Sequence, residues 1–158
     1  LHSAVLTFEG NAYAFLGRSG IGKSTHTALY TAHIKGSEIL NGDKPIIART
    51  GDEFIAYGTP WNGKENRGRK GSAPLKGLCF IERGKTNEIG RISPAEAADR
   101  LFSQILLPTE RSAAETLELA DGIVTNVPAY VLRCNMETEA AKTSFSALTG
   151  KSAEEYMK

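Results

Sequence analysis

The chain has 158 residues, 41% hydrophobic and 23% charged, the proportions of an ordinary globular protein with one substantial core. Lysine and arginine number 19 against 18 acids, a net charge of +1, which argues against a nucleic-acid or membrane-surface specialist with its dominant basic footprint. No apolar run approaches the roughly 18 residues needed to cross a bilayer. Cys79 and Cys134 stand far apart inside apolar stretches and read as two buried thiols of a reducing cytoplasm rather than as a disulfide. No secretory signal is visible. The sequence opens at Leu1 rather than at methionine, which leaves targeting open, and the cytoplasm is the expected location.

In chain order, "AVLTF" and "AYAFL" flank "EGN" and read as two strands joined by a tight turn, the second running straight into "GRSGIGKST". "STHTALYTAHI" follows with helical spacing that puts Ala28, Leu29 and Ile34 on an inner face, and Gly36 ends it. "SEIL" reads as a short strand finishing at "NGD", and "KPIIART" and "EFIAYG" flank "GD" as a hairpin. From 58 to 74 the pattern breaks: "GTPWNGKENRGRKGSAP" is rich in glycine and carries Trp61, Lys64, Arg67, Arg69 and Lys70. Loops longer than about 12–15 residues in a compact domain are uncommon and tend to be functional. "LKGLCFIE" restores a strand and "RGKTNE" turns the chain into "IGRI". Two helices follow, "SPAEAADRLFSQILL", opened by Ser93 and Pro94, and "RSAAETLELADGIVTN". "PAYVLRC" reads as a late strand, and "METEAAKTSFSALTG" as a closing helix stopped by Gly150. Without repeat or linker, the expectation is a single α/β domain over 1–158, its hairpins implying a mixed sheet with flanking helices.

The stretch 17–25 carries the chemistry. Gly17, Gly22, Lys23 and Ser24 fit G-x-x-x-x-G-K-[ST], with Arg18, Ser19, Gly20, Ile21 and Thr25 completing the loop. Glycines let the backbone curl until successive amides point inward as an anion nest, and the following helix adds its positive end. In this Walker A pattern the lysine reaches the β- and γ-phosphates of a nucleotide and the hydroxyl of Ser24 faces magnesium. A strand before and a helix after are the context that the motif requires. Magnesium also needs a carboxylate. Asp43 ends the next strand, where such an acid would stand, although "NGDKP" is equally a turn composition. Asp52 in "TGDE" sits on a hairpin tip that points away. His2, on the strand paired with the one entering the loop, reads by spacing alone as structural. His26 and His33 show no metal spacing. The crowded Lys64, Arg67, Arg69 and Lys70 beside Trp61 have two readings, a clamp on transferring phosphate or a solvated surface run.

"LHSAVL", "GRSGIGKST" and "LNGD" together resemble the superfamily of HPr kinase/phosphorylase and phosphoenolpyruvate carboxykinase. His2 precedes Gly17 by 15 residues, and "GRSGIGKS" matches the loop of the kinase members, Ser19 included. The match covers roughly 1–49; beyond it "GTPWNGK" and "APLKGLCFIERG" resemble small HPr-kinase-like bacterial proteins. The chain is too short for a whole carboxykinase. The resemblance implies an HPr-kinase/carboxykinase-like fold binding ATP and magnesium, and an oligomer. It also implies transfer to a hydroxyl of a protein, peptide or small molecule. It gives His2 a place near the metal and the transferring phosphate, and Ser24 and Asp43 the metal. Lys23 would neutralise the γ-phosphate, and Arg67 or Arg69 would clamp it. Two departures stand out: Gly42 replaces the first of the family's paired acids, and Pro74 stands near the position of a later glutamate. With Gly42 the expected base is missing, which opens two expectations. One is a kinase using His2 as base, since an imidazole exchanges a proton near neutral pH. The other is a nucleotide-binding regulatory module that has lost transfer. An NTPase switch is less favoured, because no water-positioning glutamine or second acid is evident near the loop.

Overall fold

The computed structural model describes residues 2–61, 68–105 and 110–158. It opens with a hairpin, β1 (Ser3–Phe8) and β2 (Asn11–Leu16), turned at Glu9–Gly10. Both strands are buried almost throughout, so their side chains feed cores on both faces of the sheet. After β2 come α1 (Lys23–His33) and β3 (Ser37–Asn41), then the hairpin β4 (Ile46–Thr50) and β5 (Glu53–Tyr57). The long β6 (Ser72–Arg83), β7 (Glu88–Arg91), α2 (Pro94–Phe102), α3 (Glu110–Asn126), β8 (Ala129–Cys134) and α4 (Thr138–Thr149) complete the order. A 3₁₀ turn, Ala153–Tyr156, follows.

The eight strands form one mixed sheet in the order β3-β1-β2-β6-β5-β4, with β8 on β6 and β7 on β8. β1 is antiparallel to both β2 and β3, whereas β6 runs parallel to β2 and to β8. Alternation along the strands divides the interior into two cores. Val5, Ala14, Leu16, Leu78 and Phe80 meet α2 and α3 through Ala97, Leu101, Ile123 and Val124. Leu6, Phe15, Cys79, Ile81 and Leu132 meet α1 and α4 through Tyr30, Ile34, Ala141 and Phe145. Cys79 and Cys134 are buried free thiols in the second core. Cys79 lies opposite Tyr130 and Cys134 opposite Arg83, an offset of four residues that separates the sulfurs beyond bridging distance.

Three expectations change. β6 begins at Ser72 rather than Leu75, because Ser72, Ala73 and Pro74 pair with β5. Proline is tolerated where a strand can spare one donor. α2 ends at Phe102, since Ser103 Oγ donates to the Arg100 carbonyl (2.8 Å) and Gln104 N to that of Leu101 (2.9 Å), tightening the last turn. Its start is as read: Ser93 Oγ accepts from Glu96 N behind Pro94.

The inner face of α1 also differs. Ala28 and Leu29 are only half-buried, and the face is made by Lys23, His26, Thr27, Tyr30 and then Ile34. The reason is a polar network inside the second core. His26 Nε2 lies 2.9 Å from Ser144 Oγ, which also lies 3.1 Å from the Tyr30 hydroxyl, so α1 and α4 share hydrogen bonds where an apolar seam was expected. The His26 ring is 4.9 Å from that of Phe15 and 5.5 Å from that of Tyr30. Among the described residues no helix is long and apolar enough to cross a membrane.

Burial pushes the His26 imidazole down to about 4 from its ordinary 6.5. The unfolded chain therefore binds a proton near pH 6.5 that the folded chain refuses until about pH 4. Stability is full above that window and falls as pH drops through it, by on the order of 3 kcal/mol at its lower end. Urea unfolding between pH 7.5 and 4.5 should show this loss, and His26→Phe should remove most of the slope.

Candidate functional site

Register assembles one end of the sheet. Leu16, the last residue of β2, pairs with Ser3 on one side and Phe80 on the other. The loop that follows therefore emerges between His2, just ahead of β1, and the Ile81–Glu82–Arg83 end of β6. Ile21 anchors the loop in the second core. At Gly17 a Cβ would stand 2.7 Å from Ile21 Cγ2 and 3.3 Å from the Ile81 carbonyl, so only glycine fits that approach. Gly22 takes φ 114° and caps α1 without a side-chain hydrogen bond. The first turn of α1 holds no acid, so its amides present positive potential outward. Ser19, Gly20, Ser24 and Thr25 are exposed along this rim.

Lys23 is 8% exposed. Its Nζ donates to the carbonyls of Gly17 (2.7 Å) and Arg18 (3.2 Å), drawing the two limbs of the loop together. The Arg18 carbonyl also accepts from Ile21 N at 3.1 Å. Burial pulls the Lys23 amine below its ordinary range, and the nearby Asp43 carboxylate partly restores it. Ser3, whose amide bonds the Asp43 carbonyl, pairs with Leu16, so strand register sets Asp43 beside the loop.

Asp43 is held at three points. Its amide donates to Asn41 Oδ1 (2.9 Å), its carbonyl accepts from Ser3 N (2.9 Å), and its Oδ1 lies 3.0 Å from His2 Nε2. The "NGD" turn sets the Asp43 carboxylate beside His2. His2 is fixed in turn by its own amide, which donates to the Gln104 carbonyl at 2.7 Å. Asn41 is fully buried, and its Nδ2 bonds Thr59 Oγ1 (2.9 Å) and the Thr59 carbonyl (3.2 Å). Thr59 Oγ1 donates to the Lys44 carbonyl (2.8 Å) and accepts from Trp61 N (3.2 Å). The Trp61 carbonyl accepts from Lys44 N (3.2 Å), which leaves the indole, 61% exposed, beside the Asp43 turn.

Arg69 does not join this group. Its amide donates to the Leu40 carbonyl and its guanidinium to Glu38 (3.1 Å) and Thr7 Oγ1 (3.2 Å). Thr7 pairs with Ala12, at the opposite end of the hairpin from Leu16, so backbone pairing along β3 carries Arg69 away from the loop. Arg67, like Lys64, lies outside the described residues.

The structure adds residues that sequence reasoning passed over. Arg83 Nη2 donates to the Gly20 carbonyl at 2.9 Å and steadies the tip of the loop. Glu82 bridges Arg100 Nη1 (2.9 Å) and Arg133 Nε (3.2 Å); the Arg100 hydrogen bond above all holds its carboxyl below the usual range. Nothing local in the sequence marks these residues, because they reach the loop only through the parallel β2–β6 register. Asn41 did carry a signal, an asparagine two residues ahead of an aspartate.

No family model and no curated protein matches the chain. Solved structures do. The HPr(Ser) kinase/phosphatase from Coxiella burnetii superposes with a TM-score of 0.50, covering 95% of this chain and 92% of that chain at 12% identity. The chain has an HPr-kinase-like fold. In this chain the glycine loop and the start of α1, the His2–Asp43 pair and the end of β6 lie at one end of the mixed sheet.

Asn41→Ala should strand the Asp43 amide and the Thr59 carbonyl. The expected cost is about 3 kcal/mol in urea unfolding, with m unchanged.

Proposed function

We propose that residues 1–158 form a single nucleotide-binding domain acting in the cytoplasm as an ATP-dependent phosphotransferase, with a hydroxyl as acceptor. The observation that carries this reading is the Lys23 ammonium, 2.7 Å from the Gly17 carbonyl in the mouth of the glycine loop and under the influence of Asp43. A buried cation ringed by inward-curled backbone and an uncapped helix start suits the β- and γ-phosphates of ATP. The HPr-kinase-like fold agrees with a kinase-like role.

The donor set suits magnesium: a serine hydroxyl and one carboxylate, the oxygen ligands that this ion takes alongside substrate phosphates. Among the described residues no group of three acidic, histidine or cysteine side chains converges, so Ser24 and Asp43 would hold the ion together with phosphate oxygens. Bound there, magnesium would neutralise charge on the transferring group.

The rest of the chemistry falls to the chain. Gly17, Arg18, Ser19, Gly20, Ile21, Gly22 and Thr25 cradle the phosphates with Lys23 and Ser24. The acceptor oxygen bonds to the γ-phosphorus as the bond from that phosphorus to the β–γ bridging oxygen breaks, and ADP leaves with the electron pair. The hydroxyl proton passes to His2. With Asp43 Oδ1 accepting from Nε2–H, the Nδ1 lone pair faces the proton, the arrangement in which a carboxylate orients an imidazole base.

Gly42 favours the second reading, a regulatory module that binds ATP without transfer, since it supplies no carboxylate where the kinases carry their base. Calorimetry with ATP and magnesium, followed by transfer of γ-labelled phosphate, separates the two. Lys23→Ala should weaken ATP binding by at least about tenfold. His2→Ala should lower transfer by about 10²–10⁴-fold while ATP affinity stays within a few-fold. Binding without transfer in the unmodified protein would favour the module, and no binding would overturn both.

A further inference from the structure

Between the glycine loop and the end of α2 lies a cleft of about 490 Å³, bounded by Gly17 and Arg18 on one wall and Ser103 and Gln104 on the other. That volume lies within the range of small-molecule sites, about 300–1,000 Å³. Its apolar floor presents little surface: Phe80 is 3%, Ile81 4% and Ile21 6% exposed. What faces the opening is polar and cationic. Arg18, Arg83 and Arg100 line the cleft; its one carboxylate among the described residues, Glu82, is paired with Arg100 and Arg133. Arg100 also meets Glu96, so Arg18 and Arg83 are the cations with donors to offer a ligand. Arg83 uses one donor on the Gly20 carbonyl, and a guanidinium has five.

Gln104 supplies an independent observation. It is 8% exposed and lines the cleft, its Nε2 donates to Ser103 Oγ (3.2 Å), and its buried Oε1 has no partner among the described residues. The Gln104 carbonyl also receives the His2 amide, so the cleft borders the residue assigned to take the acceptor's proton.

We propose that this cleft seats the phosphoryl acceptor, and that the acceptor is a small anionic hydroxyl compound rather than a segment of protein. This rests on the phosphotransferase reading. Arg18 and Arg83 pair with the anionic group of the acceptor, and the loop wall brings its hydroxyl to the terminal phosphate. Arginine suits the task because its planar fork meets carboxylate and phosphate oxygens two at a time.

The test uses glycerate and glycerol 3-phosphate as anionic probes, glycerol as the neutral one and a serine-containing peptide as the protein-like one. Binding is followed by calorimetry and transfer by ADP release with ATP and magnesium. The anionic probes should bind at least about tenfold more tightly than glycerol. Arg83→Gln should raise KM for them at least about tenfold while KM for glycerol changes by less than about twofold. Ser103→Glu, an exposed position, should do the same by setting a like charge in the cleft, with ATP affinity unchanged, and guards against a loop defect in the Arg83 variant. Preference for glycerol or for the peptide, failure of both anionic probes to bind, or indifference to both substitutions would overturn the proposal. Loss of ATP binding by the unmodified protein would instead strike the phosphotransferase reading, so the two failures are distinguishable.

Discussion

Leu16 is paired on both sides, with Ser3 of an antiparallel neighbour and Phe80 of a parallel one, and this double register governs everything at the working end of the molecule. A strand pair admits no half-steps: a slip of one residue would turn every buried side chain of β2 to the other face. With β2 buried from Ala12 to Leu16 and both faces covered, such a slip would cost both cores at once. The loop after Leu16 consequently has one place to go, with His2 to one side and the end of β6 to the other.

On that foundation the electrostatics are ordered by burial. Lys23 lies under the loop with its charge turned toward carbonyl oxygens, and Asp43 offsets part of the cost of burying it. Asp43 is itself immobilised through main chain and side chain, by Asn41, Ser3 and His2. Cation, carboxylate and imidazole are therefore placed by backbone pairing and one buried amide rather than by long side chains free to wander. The cationic rim of Arg18, Arg83 and Arg100 stands on the other side of the loop, anchored through Glu82 and the Gly20 carbonyl.

Much of the architecture was legible because its signals are local. "EGN" and "GD" between apolar runs gave the hairpins, Ser93–Pro94 gave a helix start, and Gly150 gave an end. What the sequence hid depends on partners far along the chain. The start of β6 is decided by β5, through pairing that involves Pro74. The inner face of α1 was misread because His26, Thr27 and Tyr30 are polar or amphipathic, and apolar periodicity cannot register a hydroxyl at Ser144, 118 residues from His26, that makes their burial possible. Arg69 looked like part of a clamp by composition, yet its main chain is bonded along β3, and no count of basic residues reveals that. For the candidate site, His2 and Asp43 could be singled out separately. Their 3.0 Å contact follows from strand register, which the sequence does not spell out.

The hydrogen bonds that join Ser144 to His26 and Tyr30 bear on how the loop is mounted. A helix held to its neighbour only by greasy contacts can creep along its axis at small penalty, whereas one keyed by directional bonds inside a dry interior cannot, because each increment of travel would leave a hydroxyl or ring nitrogen with nothing to face. α1 is therefore a fixed pedestal rather than a piston. The seam lies within its first two turns, at His26 and Tyr30, so the helix is held where the loop joins it.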